Sequence, residues 1–234
     1  MKTIAQVRSQ LRSLSSTHKQ NRQQIFSKDP IKSFGVAVPQ VRTIAKESFA
    51  HIKHLSKSEI FSICETLADG GRQEEILISF DWALRLKKEY EPSDISRFEK
   101  WLKKYVSNWA LCDDLCTRNI GYLIFRFPEV IPKVVQWSQG KNKWLRRASA
   151  VSFIYAARRG QAFDDIILVS NALLSDSEDM VQKGYGWALK EASKCFAEEV
   201  YDYLAIHTQD MPRTAFRYAL EKLPQNWKSE LMNA

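Results

Sequence analysis

The stretch 182QKGYGWALKEASK194 decides the fold, because its opening is echoed twice elsewhere in the chain. A small residue in a basic context stands in 146RRA148, 182QKG184 and 213RTA215, at Ala148, Gly184 and Ala215, which are 36 and 31 residues apart. Three positions after each come Val151, Trp187 and Tyr218, and five after each come Phe153, Leu189 and Leu220. Each segment reads as a helix start carrying Lys or Arg, then a small residue that permits close packing, then an apolar stripe. A faint repeat of roughly 30 to 47 residues built from helix pairs is the mark of a solenoid, in which every unit buries its stripe against its neighbours. Equivalent helix starts would then line one concave surface, with Arg146, Arg147, Lys183 and Arg213 as a basic row.

The rest of the chain agrees. Helical periodicity recurs and strand alternation is absent, so the expectation is an all-α chain, one repeat domain over residues 1–234. Pro39 and Pro92 open helices, Ser56 with Glu59 makes a capping-box pattern, and Gly70 with Gly71 closes that helix. Pro128 follows a long helix, Gly140 and Gly160 end two more, and Pro212 and Pro224 bracket one near the C-terminus. Only 34FGVAVP39 reads as a longer structured connection.

Charge placement narrows the partner. Residues 1–57 carry eleven Lys or Arg against Asp29 and Glu47, a balance of +9 in a chain whose total is +8. A basic end on a near-neutral body suggests a polyanion, nucleic acid before membrane, since no stretch is apolar enough to span a bilayer. The opening MKTIAQVRSQLRSLSS has the composition of a transit peptide, but Ile4, Val7, Leu11 and Leu14 also form the stripe of an ordinary first helix, which is the preferred reading. Cys64, Cys112, Cys116 and Cys195 read as reduced thiols of a cytoplasmic protein. Cys112 and Cys116 lack a second Cys or His pair, and His51 and His54 lack a partner, so no metal and no cofactor are expected.

The stretch 106VSNWALCDDLC116 sets a tryptophan and two acids into an apolar helix. With Asn108 as N-cap, the helix would run from Trp109 to about Phe127, burying Cys112, Cys116, Ile120, Leu123 and Phe127. At about 100° per residue, Asp113 lies about 40° from Trp109 and one turn on, whereas Asp114 lies about 140° away and is expected to face solvent. Two readings stay open on this spacing: an acid that complements the helix dipole beside a core Trp109, or a carboxylate and an indole sharing a functional patch.

The chain resembles the HEAT-like-repeat DNA glycosylases of the AlkD-like DNA alkylation repair family. The resemblance runs through 34FGVAVPQVR42, NWALCD with Gly121 and 128PEVIP132, KWLRRA (Trp144 to Ala148), KGYGWALKEASK (183–194) and MPRTAFRYALEKLP, in order and at compatible spacing over essentially the whole chain. It implies an α-α superhelix that holds duplex DNA in its concavity and hydrolyses the N-glycosidic bond of cationic N-alkylated purines such as 3-methyladenine and 7-methylguanine. By position, the family's catalytic Trp and Asp fall on Trp109 and Asp113, its active-site Arg on Arg147 and its second DNA-facing Trp on Trp187. Arg146, Lys183, Lys190, Arg213 and Phe26 are the further DNA-contact candidates. A monomer on double-stranded DNA in a bacterial cytoplasm is expected.

Those residue types suit the chemistry the resemblance implies. A cationic purine leaves readily, so one carboxylate can replace the usual glycosidase pair. Asp113 would stabilise oxocarbenium character on the deoxyribose and orient water, Trp109 and Trp187 would offer π faces, and Arg147 would clamp a phosphate and keep Asp113 ionised. A charge pair ~4 Å apart at an effective dielectric of ~20 contributes roughly 4 kcal/mol, about a thousandfold in rate. The chain departs from the family pattern at Asn108 where a second Trp is usual, at Ala37 where a polar residue is common, at Lys190 for Arg, at Phe26 for Tyr, and at Asp179 and Met180. These departures keep two alternatives in view, a non-catalytic binder of branched or distorted DNA and a protein-binding scaffold.

Overall fold

The computed structural model describes residues 2–25 and 30–233, and every regular element among them is a helix. Two compact units emerge, one of Met1–Tyr90 with Lys104–Leu115, the other of Glu91–Lys103 with Cys116–Ala234. No helix among the described residues is long and apolar enough to cross a membrane.

In the first unit α1 (Lys2–Ser13) buries Ile4, Val7 and Leu11, the stripe read from the sequence, while Leu14 beyond it is exposed. After α2 (Thr17–Ile25), the connection through residues 33–36 enters α3 (Val38–Phe49), which has Pro39 in its first turn. That connection is ordered by a buried carboxylate. Glu74 accepts bonds from Ser33 Oγ at 2.7 Å, Phe34 N at 2.9 Å and Val36 N at 3.0 Å. Gly35 is required there, because its φ is +73° and a Cβ would lie 2.2 Å from the Ser16 carbonyl oxygen. The capping box of Ser56 and Glu59 starts α4 (Lys57–Ala68), and Gly71, at φ +72°, follows its end. Next comes α5 (Gln73–Arg85), against which α3 and α4 pack. Trp82 is enclosed here, its Nε1–H donating to the Ala45 carbonyl at 3.0 Å.

The chain continues through α6 (Asp94–Tyr105) and α7 (Trp109–Asp114). The helix expected from Trp109 to about Phe127 forms and runs without a break to Arg126, with a change of winding inside it. Residues Leu115–Ile120 adopt a π-turn before α8 (Gly121–Arg126), and half-buried Phe127 lies past the helix end. Cys112, Cys116, Ile120 and Leu123 are buried as expected.

The second unit adds α9 (Ile131–Gln136), α10 (Lys143–Val151), α11 (Ile154–Ala157), α12 (Phe163–Leu173), α13 (Asp179–Ala192), α14 (Ala197–Ile206), α15 (Arg213–Leu220) and α16 (Gln225–Asn233). The three segments that suggested a repeat are α10, α13 and α15, and α13 packs on both of the others. The small residues sit at the approaches. Ala148 and Ala215 are wholly buried, and a Cβ on Gly186 would lie 2.5 Å from the Ala215 carbonyl oxygen. Of the expected stripe, Phe153, Leu189 and Leu220 are buried, but Tyr218 is exposed and Trp187 half-buried, so that position is turned outward on α13 and α15.

Candidate functional site

Asn108 sets the geometry of the first unit's site. Extended at φ −151° and ψ 168°, it caps α7 by accepting the Leu111 N–H on Oδ1 at 3.1 Å. Its Nδ2 donates to Gln73 Oε1 at 3.0 Å, so the residue standing where the family pattern has a Trp is a buried polar strut. The cap makes Trp109 the first helical residue, and its side chain is not core: it is 41% exposed. An indole buries up to about 250 Å² in a core, so this exposure forgoes roughly 2 kcal/mol of apolar burial. Half-buried Asp113 follows one turn later on the same helix. Leu111 and Cys112 carry the packing between them.

Asp114 corrects the expectation that it faces solvent. Its side chain is 12% exposed and its Oδ1 pairs with Arg42 Nη2. The helix face about 140° from Trp109 looks onto α3 and α5 instead of water. Arg42, from α3, also donates Nη1 to the Leu77 carbonyl at 3.3 Å and approaches Asp81 at 3.5 Å, and Arg85 Nε holds the other Asp81 oxygen at 2.8 Å. One guanidinium thus ties α3, α5 and α7 together.

In the second unit Arg147 is 5% exposed, and its Nη1 donates to the Met180 carbonyl at the start of α13. A Cβ at Gly184 would lie 3.1 Å from Arg147 Cγ, so the small residue there makes room for this side chain. Trp187 donates Nε1–H to Glu191 Oε1 at 3.2 Å. Glu191 also takes Arg158 Nε at 2.8 Å and Lys194 Nζ at 2.6 Å. Burial pushes its carboxyl upward, but the bonds from Arg158, Lys194 and Trp187 outweigh that and hold it at about 2.

The basic row is more engaged than its sequence suggests. Arg146 Nε bonds Asp176 at 2.6 Å, and its Nη1 serves the Gly140 and Lys141 carbonyls. Lys183 pairs with Asp179 at 2.7 Å, and Lys190 with Glu221 at 2.8 Å. Arg213 is exposed, lies over the Phe216 ring and donates to Met232 Sδ at 3.5 Å. The half-buried Lys183 pair is accessible enough to exchange for another anion, whereas Arg146 and Asp176, nearly covered, serve the fold. Phe26 lies outside the described residues. Among the described residues no group of three or more His, Cys, Asp or Glu side chains could hold a metal ion.

Sequence reasoning missed Arg42, Glu191 and Gln73, each of which acts through a partner on another turn or helix. Only Glu191, four residues after Trp187, left a local signal.

Residues 7–223 match the family described as DNA alkylation repair enzyme. A predicted DNA alkylation repair enzyme from Enterococcus faecalis shares the fold at a TM-score of 0.80 and 15% identity, over 90% of this chain and 97% of that one. The Streptococcus mutans UA159 protein smu.31 superposes at a TM-score of 0.60 and 15% identity, over 79% of this chain and 94% of its own. No curated protein matches the sequence. With the match spanning nearly all of its length and the helical-repeat fold shared, the chain belongs to the DNA alkylation repair enzyme family.

Proposed function

We propose that the protein is an alkylpurine DNA N-glycosylase acting on 3-methyladenine and 7-methylguanine in duplex DNA, the first step of base excision repair. The observation that carries this reading is Trp109, held 41% exposed by a buried cap and followed one turn later by Asp113. A folded protein that leaves an indole outward beside a carboxylate forgoes burial that a bound sugar and phosphate would restore.

The cationic purine departs with the electron pair of its N-glycosidic bond and becomes neutral. The Asp113 carboxylate faces the positive charge that develops on C1′ and directs a water whose oxygen forms the new bond, its proton passing to solvent. Trp109 lends its π face to the same charge, and Trp187, steadied by Glu191, lines the backbone. Arg147 contacts a flanking phosphate, and Lys183, Lys190 and Arg213 add screened backbone attraction.

The test is release of both bases from methylated duplex by the wild type, Asp113→Asn and Arg147→Ala. Asp113→Asn should retain binding and lose release, and Arg147→Ala should lose both in part. Full activity with normal affinity in Arg147→Ala would remove that residue from the site. A second reading, a non-catalytic binder of distorted DNA, is favoured by the commitment of Arg147 Nη1 to the Met180 carbonyl and of Arg146 to Asp176. It requires salt-sensitive DNA binding by the wild type with no base release.

A further inference from the structure

A cavity of about 260 Å³ lies between α1, the connection ahead of α3 and the turn into α5, lined by Arg8, Arg12 and Arg72 together with Phe34, Gly70 and Glu75. All six residues belong to the first unit. Arg8 and Arg12 stand four residues apart on α1 and share one face of that helix. Arg72 directly precedes α5. Its Cζ lies 4.4 Å from the centroid of the buried Phe34 ring, and its Nη1 donates to the Ser33 carbonyl at 3.2 Å. A guanidinium stacked on a buried ring and bonded through one nitrogen is held in a fixed plane, with Nε and Nη2 left to donate.

The carboxylate on the cavity wall does not neutralise this cluster. Glu75, 2% exposed, accepts Arg8 Nε at 2.6 Å, a contact that orients the Arg8 guanidinium and leaves its two terminal nitrogens unspent. Gly70 makes room for that carboxylate, since a Cβ there would lie 2.2 Å from Glu75 Oε2. Arg12 is exposed and has no ion pair among the described residues. Three cations against one anion give the cavity a net charge of +2. Guanidinium forks that converge on one space suit an anion with several acceptor oxygens, and phosphate has that geometry.

The place of Arg72 points to the source of the phosphate. The hydrogen bond from Asn108 to Gln73 joins the start of α7 to the start of α5, so Arg72 and Trp109 are each one residue from a directly bonded pair. Their backbones therefore lie within about 20 Å, which at about 3.4 Å of axial rise per nucleotide spans about six positions of one strand. A duplex that meets Trp109 thus carries a backbone phosphate to the neighbourhood of Arg72.

We propose that Arg8, Arg12 and Arg72 clamp a single phosphate of the DNA backbone, up to about six nucleotides from the position that Trp109 meets. This rests on the reading of the chain as a DNA-binding repair protein, and not on catalysis. Duplex affinity at ~0.1 M salt is measured for the wild type, Arg12→Ala, Arg72→Ala, Arg72→Lys and the double alanine variant, with melting temperatures recorded to monitor the fold. Lys53→Ala is the control, because it removes an equal charge from an exposed position of the same unit outside the cavity. Arg12→Ala and Arg72→Ala should each weaken binding about five- to tenfold, and the double variant by no more than about threefold beyond either, because both hold the same phosphate. Arg72→Lys should lose about as much as Arg72→Ala, since an ammonium keeps the charge but not the stacked fork. Lys53→Ala should stay within about twofold of the wild type. Titration with inorganic phosphate separates a strand phosphate from a free anion.

Losses that multiply in the double variant, wild-type affinity in Arg72→Lys, or an equal loss in Lys53→Ala would each overturn the clamp. Saturation by inorganic phosphate with the DNA affinity of every variant unchanged would overturn it as well. A wild type that binds no duplex would remove the DNA-binding reading and the clamp together. Base release is not read in this experiment, so failure of the glycosylase reading appears separately.

Discussion

Replacing Asp114 with Ala removes the carboxylate that holds Arg42 across α3, α5 and α7, and its cost can be bracketed from exposure. A fully exposed pair contributes about 0–1 kcal/mol, and removing one member of a fully buried pair costs about 3–5 kcal/mol. Here the side chains are 12% and 26% exposed, and Arg42 keeps a carbonyl and Asp81 as fallback partners. About 2 kcal/mol is therefore expected. In a chain of this length each kcal/mol moves the midpoint by about 2–4 °C, so thermal denaturation should fall by roughly 4–8 °C. A double-mutant cycle with Arg42→Ala isolates the pair, and a coupling of about 1–2 kcal/mol is expected. A loss below about 0.5 kcal/mol, or additive effects, would show that Asp114 faces water after all and that α7 is rotated from the phase described.

Three further outcomes follow from single contacts. The Glu191 carboxyl is held at about 2, below its usual 4.5, so the stability it contributes is present above about pH 4.5 and lost as pH falls through its folded value; acid denaturation followed by circular dichroism should be less steep between pH 4.5 and 2 in Glu191→Gln. Gly186→Ala should cost about 3 kcal/mol or more in thermal melts, because its Cβ would meet the Ala215 carbonyl oxygen at 2.5 Å and backbone cannot step aside as a side chain can. Trp109→Ala should cost about 2–3 kcal/mol in thermal melts, since most of the indole is covered at 41% exposure, and should lower base release at least tenfold at a temperature where the variant remains folded.

Much of the fold was legible because its determinants are local. The capping box at Ser56, the turn after Gly70, the stripe of α1 and the small residues Ala148, Gly184 and Ala215 act within a helix or across one neighbour, and periodicity reports them. The Asn108 cap was legible for the same reason. What escaped was nonlocal or polar. Asp114 carries the same charge whether solvated or paired, and only α3, 72 residues away, decides between them. The basic row looked unoccupied because Asp176 and Glu221 are 30 and 31 residues from the cations they neutralise. The π-turn at Leu115–Ile120 has no sequence mark that separates it from an α-helix of the same apolar content. Glu74 reads as an ordinary first-turn acid, yet it binds the backbone of a connection some 40 residues earlier.

The most direct test of the central claim is a single-turnover measurement of 7-methylguanine release from duplex DNA, with protein in excess so that binding is saturated, comparing wild type with Asp113→Asn. Release by the wild type, slowed about a hundredfold or more in the variant at unchanged affinity, is the result expected if Trp109 and Asp113 form an active site. Saturated binding with no release from the wild type would contradict it.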